Sequence, residues 1–338
     1  MKSVKVAVVG AGVVGLSTAV CVAETLPECS VTVLAEKFSP DTTSDGAAGI
    51  LLPMEFPDIS IKRQHEWFKN TFDHLLAIAF SSQASEAGVF LISGYQVFKD
   101  LPSEKTPFWA DVVLGFRYMT DQELKRFPDH KFGQAFTTLK CECQSYLPWL
   151  QKRLLAAGGQ VLQAKVSDLQ ELALDFNAIF NCSGLGSLSL LPDQCVYPVR
   201  GQIMHLHAPW LKHFTRDGDG STYIYPGVSS VTAGGTRQQG DWRLELDNQD
   251  AEGILERCRR LEPSLKSARV TGHWVGLRPA RETLRLERDE LKIQGRVVPL
   301  VHNYGHGGCG VSVSWGTALN ASGLLHAALG EKMLHARL

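Results

Sequence analysis

The stretch Val4-Lys5-Val6-Ala7-Val8-Val9-Gly10-Ala11-Gly12-Val13-Val14-Gly15-Leu16-Ser17-Thr18-Ala19-Val20 decides how the chain begins to fold. Its first six residues are rich in valine and read as a buried strand. Three glycines follow at the spacing Gly-x-Gly-x-x-Gly, and residues 16–20 suit a helix. A second strand, residues 30–34, ends near Glu36, 21 residues beyond Gly15. Strand, glycines, helix, strand and acid in this order describe a dinucleotide-binding βαβ unit. Gly10 permits the tight turn, Gly12 lets backbone approach a pyrophosphate, and Gly15 lets the helix pack closely on the strand. The free N–H groups and positive dipole end of the helix face the phosphates. Glu36 accepts hydrogen bonds from an adenosine ribose. Residues 6–23 carry no charge and follow Lys2 and Lys5, so length alone also suits a signal peptide or short membrane span. The internal strand–glycine–helix order favours the nucleotide unit.

The remaining composition narrows the function. Among 338 residues, 34 Lys+Arg face 35 Asp+Glu, a formal net charge of -1. Without a basic excess, nucleic acid is not an expected partner. With 44% hydrophobic and 20% charged residues, the chain can bury a large core and is not a disordered acidic tail. The length suggests about two domains. The eight cysteines form no CxxC pair, so neither a zinc site nor a disulfide framework is expected.

Outward from the N-terminal unit, the glycine clusters recur where strands end. Pro40-Asp41-Thr42-Thr43-Ser44-Asp45-Gly46-Ala47-Ala48-Gly49 is a loop of small hydroxyl residues running into apolar Ile50-Leu51-Leu52. Residues 64–87 have helical periodicity, residues 89–98 read as strands around Gly94, and residues 146–157 read as a helix stopped by Gly158-Gly159. Residues 176–182 form a strand ending in Ser183-Gly184. Several strands are expected between residues 196 and 235. Residues 297–301 form a strand leading into the turn His302-Asn303-Tyr304-Gly305-His306-Gly307-Gly308-Cys309-Gly310, with a helix over residues 318–329. His302 and His306 read as turn and packing residues, and no metal is expected.

Several blocks together resemble a known family. They are the glycine motif, Asp41-Thr42-Thr43-Ser44 with Ala47-Ala48-Gly49, Phe108-Trp109-Ala110-Asp111-Val112-Val113-Leu114-Gly115-Phe116, and Gly133-Gln134-Ala135-Phe136-Thr137-Thr138. Pro198-Val199-Arg200-Gly201-Gln202, Val275-Gly276-Leu277-Arg278-Pro279 and His302-Asn303-Tyr304-Gly305-His306-Gly307 complete the set. They resemble the FAD-dependent D-amino acid oxidases, and within them the D-aspartate oxidase branch, over essentially the whole chain. The resemblance implies an α/β (α+β overall) fold, with a glutathione-reductase-like Rossmann FAD-binding domain and an interleaved substrate domain on a large mixed sheet. The expected division is residues 1–55, 138–195 and 286–338 for FAD, and residues 56–137 and 196–285 for substrate. The family reaction dehydrogenates a D-amino acid to an imino acid, which hydrolyses to a 2-oxo acid and ammonia. O2 reoxidises the flavin and gives H2O2.

The resemblance also assigns residues. Arg278 would hold the substrate α-carboxylate with two parallel N–H bonds, Tyr223 would add its hydroxyl, and the Gly308 carbonyl would accept from the substrate amine. Arg216 and Arg237 would line the side-chain pocket, because a second buried carboxylate needs a cationic partner. Asp217 and Asp219 stand beside Arg216 in sequence and offer it a competing surface pairing. Where relatives that prefer neutral substrates carry a lid tyrosine, this chain has Asp219. FAD would meet Gly10, Gly12, Val13, Val14, Gly15, Glu36, Lys37, Thr42, Thr43, Ser44, Ala48, Gly49, Leu51, Val166, Ser183, Gly184, Gly307, Gly308, Gly310, Val311 and Ser312. The chain has Gly308 where the aspartate branch typically has Ser, has Met54 near that branch's His, and reads Arg278-Pro279-Ala280-Arg281-Glu282 instead of Arg-Pro-x-Arg-Pro. The expected substrates are D-Asp, D-Glu and N-methyl-D-Asp, with a broader D-amino acid oxidase as one alternative. An NAD-dependent dehydrogenase is the other, since the glycines and Glu36 suit NAD as well. A membrane-anchored binding protein is a third reading of residues 6–23. Ala336-Arg337-Leu338 resembles a peroxisomal address, which would engage an import receptor. A homo-oligomer is compatible with these readings.

Overall fold

The computed structural model describes residues 4–191 and 193–335, with side chains through Glu331. Ala336-Arg337-Leu338 lies outside the described residues. The strands are β1 (Val4–Val9), β2 (Cys29–Ala35), β3 (Val89–Phe98), β4 (Leu114–Tyr118), β5 (Phe132–Cys141), β6 (Gln160–Gln163) and β7 (Ala178–Asn181). They continue as β8 (Val196–His207), β9 (Phe214–Asp217), β10 (Tyr223–Pro226), β11 (Val231–Gly234), β12 (Gln238–Gln239), β13 (Arg269–Ile293) and β14 (Arg296–His306). One sheet runs β4-β5-β3-β9-β10-β11-β8-β13-β14-β7-β1-β2-β6, with β12 beside β8.

At one end, β14, β7, β1, β2 and β6 are all parallel. Parallel strands are covered on both faces, and β1 accordingly buries four consecutive residues, 6–9. The helix Val13–Thr25 is apolar on nearly every side, which requires burial all round. It packs against the helix Gly310–His335. Beyond β14 the pairing turns mostly antiparallel, through β13, β8, β11, β10 and β9. The long strand β13 joins the two halves of the sheet and crosses the expected boundary at 285/286. No helix among the described residues is long and apolar enough to cross a membrane. Residues 6–23 instead form β1 and most of the first helix.

Two elements differ from the sequence expectation. The single helix expected over 64–87 is Ile61–Ala79 followed by a separate turn Ala84–Ala87. Ser81 caps the break, donating to the Ile78 carbonyl and accepting from Gln83 N–H, a local bonding that competes with helix. The long glycine-rich turn expected over 302–310 is strand as far as His306. There Ala280 pairs with His306, and Gly307 N–H donates to the Pro279 carbonyl. The turn shrinks to residues 307–309, and the following helix starts at Gly310 instead of residue 318. Gly305 and Gly307 do take the positive φ of turn residues, +88° and +54°, but β13 pairs with Tyr304 and His306 on either side of a bulge and so carries the strand past Gly305.

His302 and His306 on β14 are 0% and 4% exposed. Burial lowers their basicity to about 4 for His302, with Arg285 contributing, and to about 3 for His306. In the unfolded chain both titrate near 6.5, so between these values the unfolded state takes protons that the folded state refuses. The stabilisation is fully present above pH 6.5 and is lost as pH falls toward 3–4. The maximum slope is about 1.4 kcal/mol per pH unit for each histidine. Thermal melts between pH 7 and 4 should show Tm falling with acidity, and His306→Gln should flatten part of that fall. A Tm constant over this range would contradict the assignment.

Candidate active site

The turn after β1 is built on two close approaches. Gly10 has φ +111°, a region that disfavours side chains, and its N–H donates to the Leu34 carbonyl at 2.9 Å. A Cβ on Gly15 would overlap the Gly10 carbonyl oxygen. The helix begins at Val13 with no acidic residue in its first turn, so its positive dipole end is not neutralised. Val13 N–H donates to Ser44 Oγ at 3.0 Å, and Leu16 N–H is the first to reach a helical carbonyl, that of Gly12. The Val14 and Gly15 N–H groups therefore have no carbonyl within their own helix. Around Gly12 a Cβ would meet only Ser44 Oγ, at 3.1 Å.

Other segments assigned to the cofactor come to the same place. Residues 42–46 form a turn held by buried Asp45, which accepts from Thr42 N–H at 3.0 Å and Thr42 Oγ1 at 2.7 Å. Ala48, Gly49 and Leu51 are laid along β5: Lys140 Nζ donates to the Ala48 carbonyl, Cys141 N–H to Gly49 and Leu51 N–H to Leu139. Glu36 and Lys37 are exposed just past the end of β2, and Val166 follows β6, the next strand. Ser183 donates to Asn181 Oδ1 beyond the end of β7. The second helix N-terminus, residues 310–312, also lacks an acidic first turn. A Cβ on Gly310 would lie 3.8 Å from Val13 Cγ1. Two helix N-termini without an acidic residue in their first turns thus adjoin, framed by backbone and small hydroxyls. This donor set fits the phosphates and polar edges of FAD. Thr43 is exposed at the turn and makes no side-chain bond.

The second cluster sits where β13, β10, β9 and the 307–309 turn meet. Arg278 on β13 lies across Gly201 of β8, where a Cβ would overlap its guanidinium, and its Nη1 donates to the Thr236 carbonyl at 3.0 Å. Gly308 is adjacent, since a Cβ there would stand 3.6 Å from Arg278 Cδ. Gly184 links the two clusters, 3.4 Å from Pro279 Cβ by the same measure. Tyr223 on β10 pairs with Arg216 on β9 and with Gly234 on β11. Its ring stacks on Tyr225 at 4.6 Å between centroids. Arg216 Nη1 donates to Tyr225 Oη at 3.5 Å. Arg216 Nη2 and Arg237 Cζ both come within 4 Å of the point a Gly220 Cβ would occupy, at 3.8 and 3.9 Å.

The electrostatics follow from this crowding. Burial raises the Tyr223 hydroxyl, while Arg278, Arg237 and Arg216 all pull the other way. Burial lowers Arg278 below the ordinary guanidinium value, opposed by Tyr223 and assisted by Arg237. For Arg216 burial acts downward but is outweighed by Tyr225, which leaves it raised. None of Arg216, Arg237 and Arg278 pairs with an Asp or Glu among the described residues. The carboxylates beside Arg216 in sequence are engaged elsewhere. Asp217 meets His130 at 3.1 Å, and Asp219 accepts from Ser221 N–H and Thr222 N–H in its own turn. Arg281 is similarly occupied, by Asp193 and the Thr283 carbonyl.

Five supporting residues were not assigned from sequence. Asp45 is three residues after Thr42, a capping-box spacing that could have found it. Gly201 stood within a recognised block, but nothing local shows that it faces Arg278. Lys140 and Arg200 are charged residues in strands, where sequence favours exposure, yet both are buried and bonded. Cys309 accepts from Met54 N–H at 3.2 Å, and burial holds its thiol above the ordinary value. No group of three or more His, Cys, Asp or Glu among the described residues could hold a metal ion.

Residues 5–323 match the family described as FAD dependent oxidoreductase, DAO. The chain is 56% identical to D-aspartate oxidase of Homo sapiens, over 96% of this chain and 95% of that protein. It is 36% identical to D-aspartate oxidase 1 of Caenorhabditis elegans, over 98% and 99%. It is 39% identical to a D-amino-acid oxidase of Rubrobacter xylanophilus, over 95% and 96%. Among solved structures, glycine oxidase from Bacillus cereus shares the fold with a TM-score of 0.76 at 19% identity, over 96% of each chain. The helix ends suit the phosphates of either dinucleotide, and the family match decides between them, so FAD replaces NAD in the reading of the glycine motif. The chain belongs to the FAD-dependent oxidoreductase family that contains the D-amino acid oxidases.

Proposed function

We propose that the chain oxidatively deaminates acidic D-amino acids, D-Asp with D-Glu and N-methyl-D-Asp, to the 2-oxo acid, ammonia and H2O2. The observation that carries this reading is the convergence of Arg216, Arg237 and Arg278 with no acidic counter-charge among the described residues. Arg216 and Arg278 are partly buried cations without a carboxylate partner, which is costly unless a ligand brings the missing charge, and exposed Arg237 adds a third positive group at their edge. A dicarboxylic amino acid brings two carboxylates. When bound, FAD supplies the two-electron acceptor, which O2 then reoxidises. The protein's own residues bind and orient. Arg278 and Tyr223 take the α-carboxylate, the Gly308 carbonyl takes an amine N–H, and Arg216 and Arg237 take the side-chain carboxylate. Arg237 stands on the exposed side of the pocket, which supports room for the longer D-Glu.

The test is H2O2 formation from D-Asp, D-Glu, N-methyl-D-Asp, D-Ala and the L-enantiomers. Preference for D-Ala would remove the acidic assignment. Arg237→Ala is expected to lower kcat/KM for D-Asp about 100-fold while changing D-Ala little, the scale of one charged hydrogen-bonded pair. An unchanged D-Asp to D-Ala ratio would count against that role. The division into residues 1–55, 138–195 and 286–338 for FAD and 56–137 and 196–285 for substrate is part of the same proposal. It is supported by the parallel strands, all of which fall in the first set except for the β3–β9 pair. Where Leu338 is the chain terminus, Ala336-Arg337-Leu338 supports peroxisomal import through its receptor, and a homo-oligomer is open to measurement by light scattering.

A further inference from the structure

We propose that Met54 is an oxidative modification site through which the peroxide product acts back on the side-chain pocket. The inference rests on the functional reading above, in which Arg237 meets the substrate side chain and H2O2 is formed beside it. Met54 is 37% exposed, and Arg237 Nη1 donates to its Sδ at 3.2 Å. A thioether is a weak acceptor, so this bond leaves the guanidinium free for a carboxylate. The other methionines with described side chains, Met119 and Met204, are 8% and 3% exposed. The neighbouring sulfur, Cys309, is 1% exposed and kept as the less reactive thiol by its burial. A thioether needs no deprotonation, which makes Met54 the accessible reductant at the pocket mouth.

The step balances with the peroxide alone. The Met54 sulfur lone pair attacks one peroxide oxygen, the O–O bond breaks, and an S–O bond forms. The departing hydroxide takes the remaining proton and leaves as water. Sulfur is oxidised by two electrons and the peroxide is reduced by two. The sulfoxide oxygen is a strong acceptor placed next to Arg237, with which it forms a charge-assisted bond. The segment is anchored on both sides, Met54 N–H to Cys309 Sγ and Phe56 N–H to Gln64 Oε1 at 2.8 Å. The modified side chain therefore stays at the pocket, and a substrate carboxylate must compete with it.

Holoenzyme is treated with graded H2O2, quenched with catalase, and mapped by peptide mass spectrometry. Met54 should gain one oxygen at doses that leave Met119 and Met204 intact. KM for D-Asp should rise about tenfold, the size of one charge-assisted bond to be displaced, with KM for D-Ala little changed. The dissociation constant of D-malate, read by calorimetry without turnover, should rise by the same factor. In Met54→Leu the treatment should leave both constants at that variant's own untreated values. Unchanged D-malate affinity at full Met54 oxidation overturns the proposal, as does an equal rise in Met54→Leu, an equal rise for D-Ala, or earlier oxidation of Met119 or Met204. Failure of the functional reading is seen separately, as untreated enzyme that turns over D-Ala and not D-Asp.

Discussion

Replacing Arg278 with alanine is expected to lower kcat/KM by about 1,000-fold for acidic and neutral D-amino acids alike, on the order of 4 kcal/mol. The loss is general because Arg278 is assigned to the α-carboxylate, which every substrate carries. One of its N–H groups is already given to the Thr236 carbonyl, which fixes the plane of the guanidinium and leaves the fork of the remaining donors for the ligand. Its bed is Gly201, where any side chain would occupy the guanidinium's own position. Gly201→Ala should therefore reproduce much of the loss without touching a charge. Arg278→Lys should recover only a small part, since an ammonium keeps the charge and loses the bidentate geometry. Steady-state kinetics on D-Asp and D-Ala, with bound flavin measured in each variant, decide the matter. An Arg278→Ala enzyme within about tenfold of the parent on both substrates would refute the role.

The second large effect concerns the cofactor. Gly15→Ala is expected to yield protein that retains little FAD, with affinity weakened on the order of 100-fold, about 3 kcal/mol. The added Cβ would overlap the Gly10 carbonyl oxygen and stand 3.4 Å from Cys182 Cβ. The Gly10 backbone cannot yield freely, because its N–H is bonded to Leu34 and its φ is already one that disfavours side chains. The helix must then move away from β1, and its N-terminal N–H groups move with it. Gly323→Ala is the control, because it lies in the helix Gly310–His335 outside the residues assigned to FAD and a Cβ there would meet nothing within 4 Å. Flavin absorbance after purification and an FAD titration of each apoprotein give the comparison. Equal retention by the two variants would show that packing of the helix on the strand does not govern binding.

Much of the cofactor half was legible in the sequence because its signals are local. The βαβ unit of residues 4–36 is encoded by a valine-rich strand, three glycines and an acid at fixed spacing, and the structure forms β1, the helix Val13–Thr25 and β2 there. Arg278, Tyr223, Arg216 and Arg237 were reachable through resemblance, and the structure brings them to one cluster. Less legible was where β14 ends. Gly305 and Gly307 suggest a turn in isolation and both have positive φ, but pairing with β13 across a bulge carries the strand to His306. Charged Lys140 and Arg200 also look like surface residues until their partners, the Ala48 carbonyl and Asp250, arrive from distant segments.

The sequence by itself determined the dinucleotide unit, the family and the residue types available for substrate. Only the tertiary structure decided which of those charges remain unpaired. Asp217 and Asp219 adjoin Arg216 along the chain, yet His130 and the 221–222 backbone take them, leaving the guanidinium to Tyr225 and the pocket. The physical reason is range. Strand and turn preferences act over a few residues, whereas the pairing of a buried charge is settled by whichever partner the packed fold brings within hydrogen-bond distance.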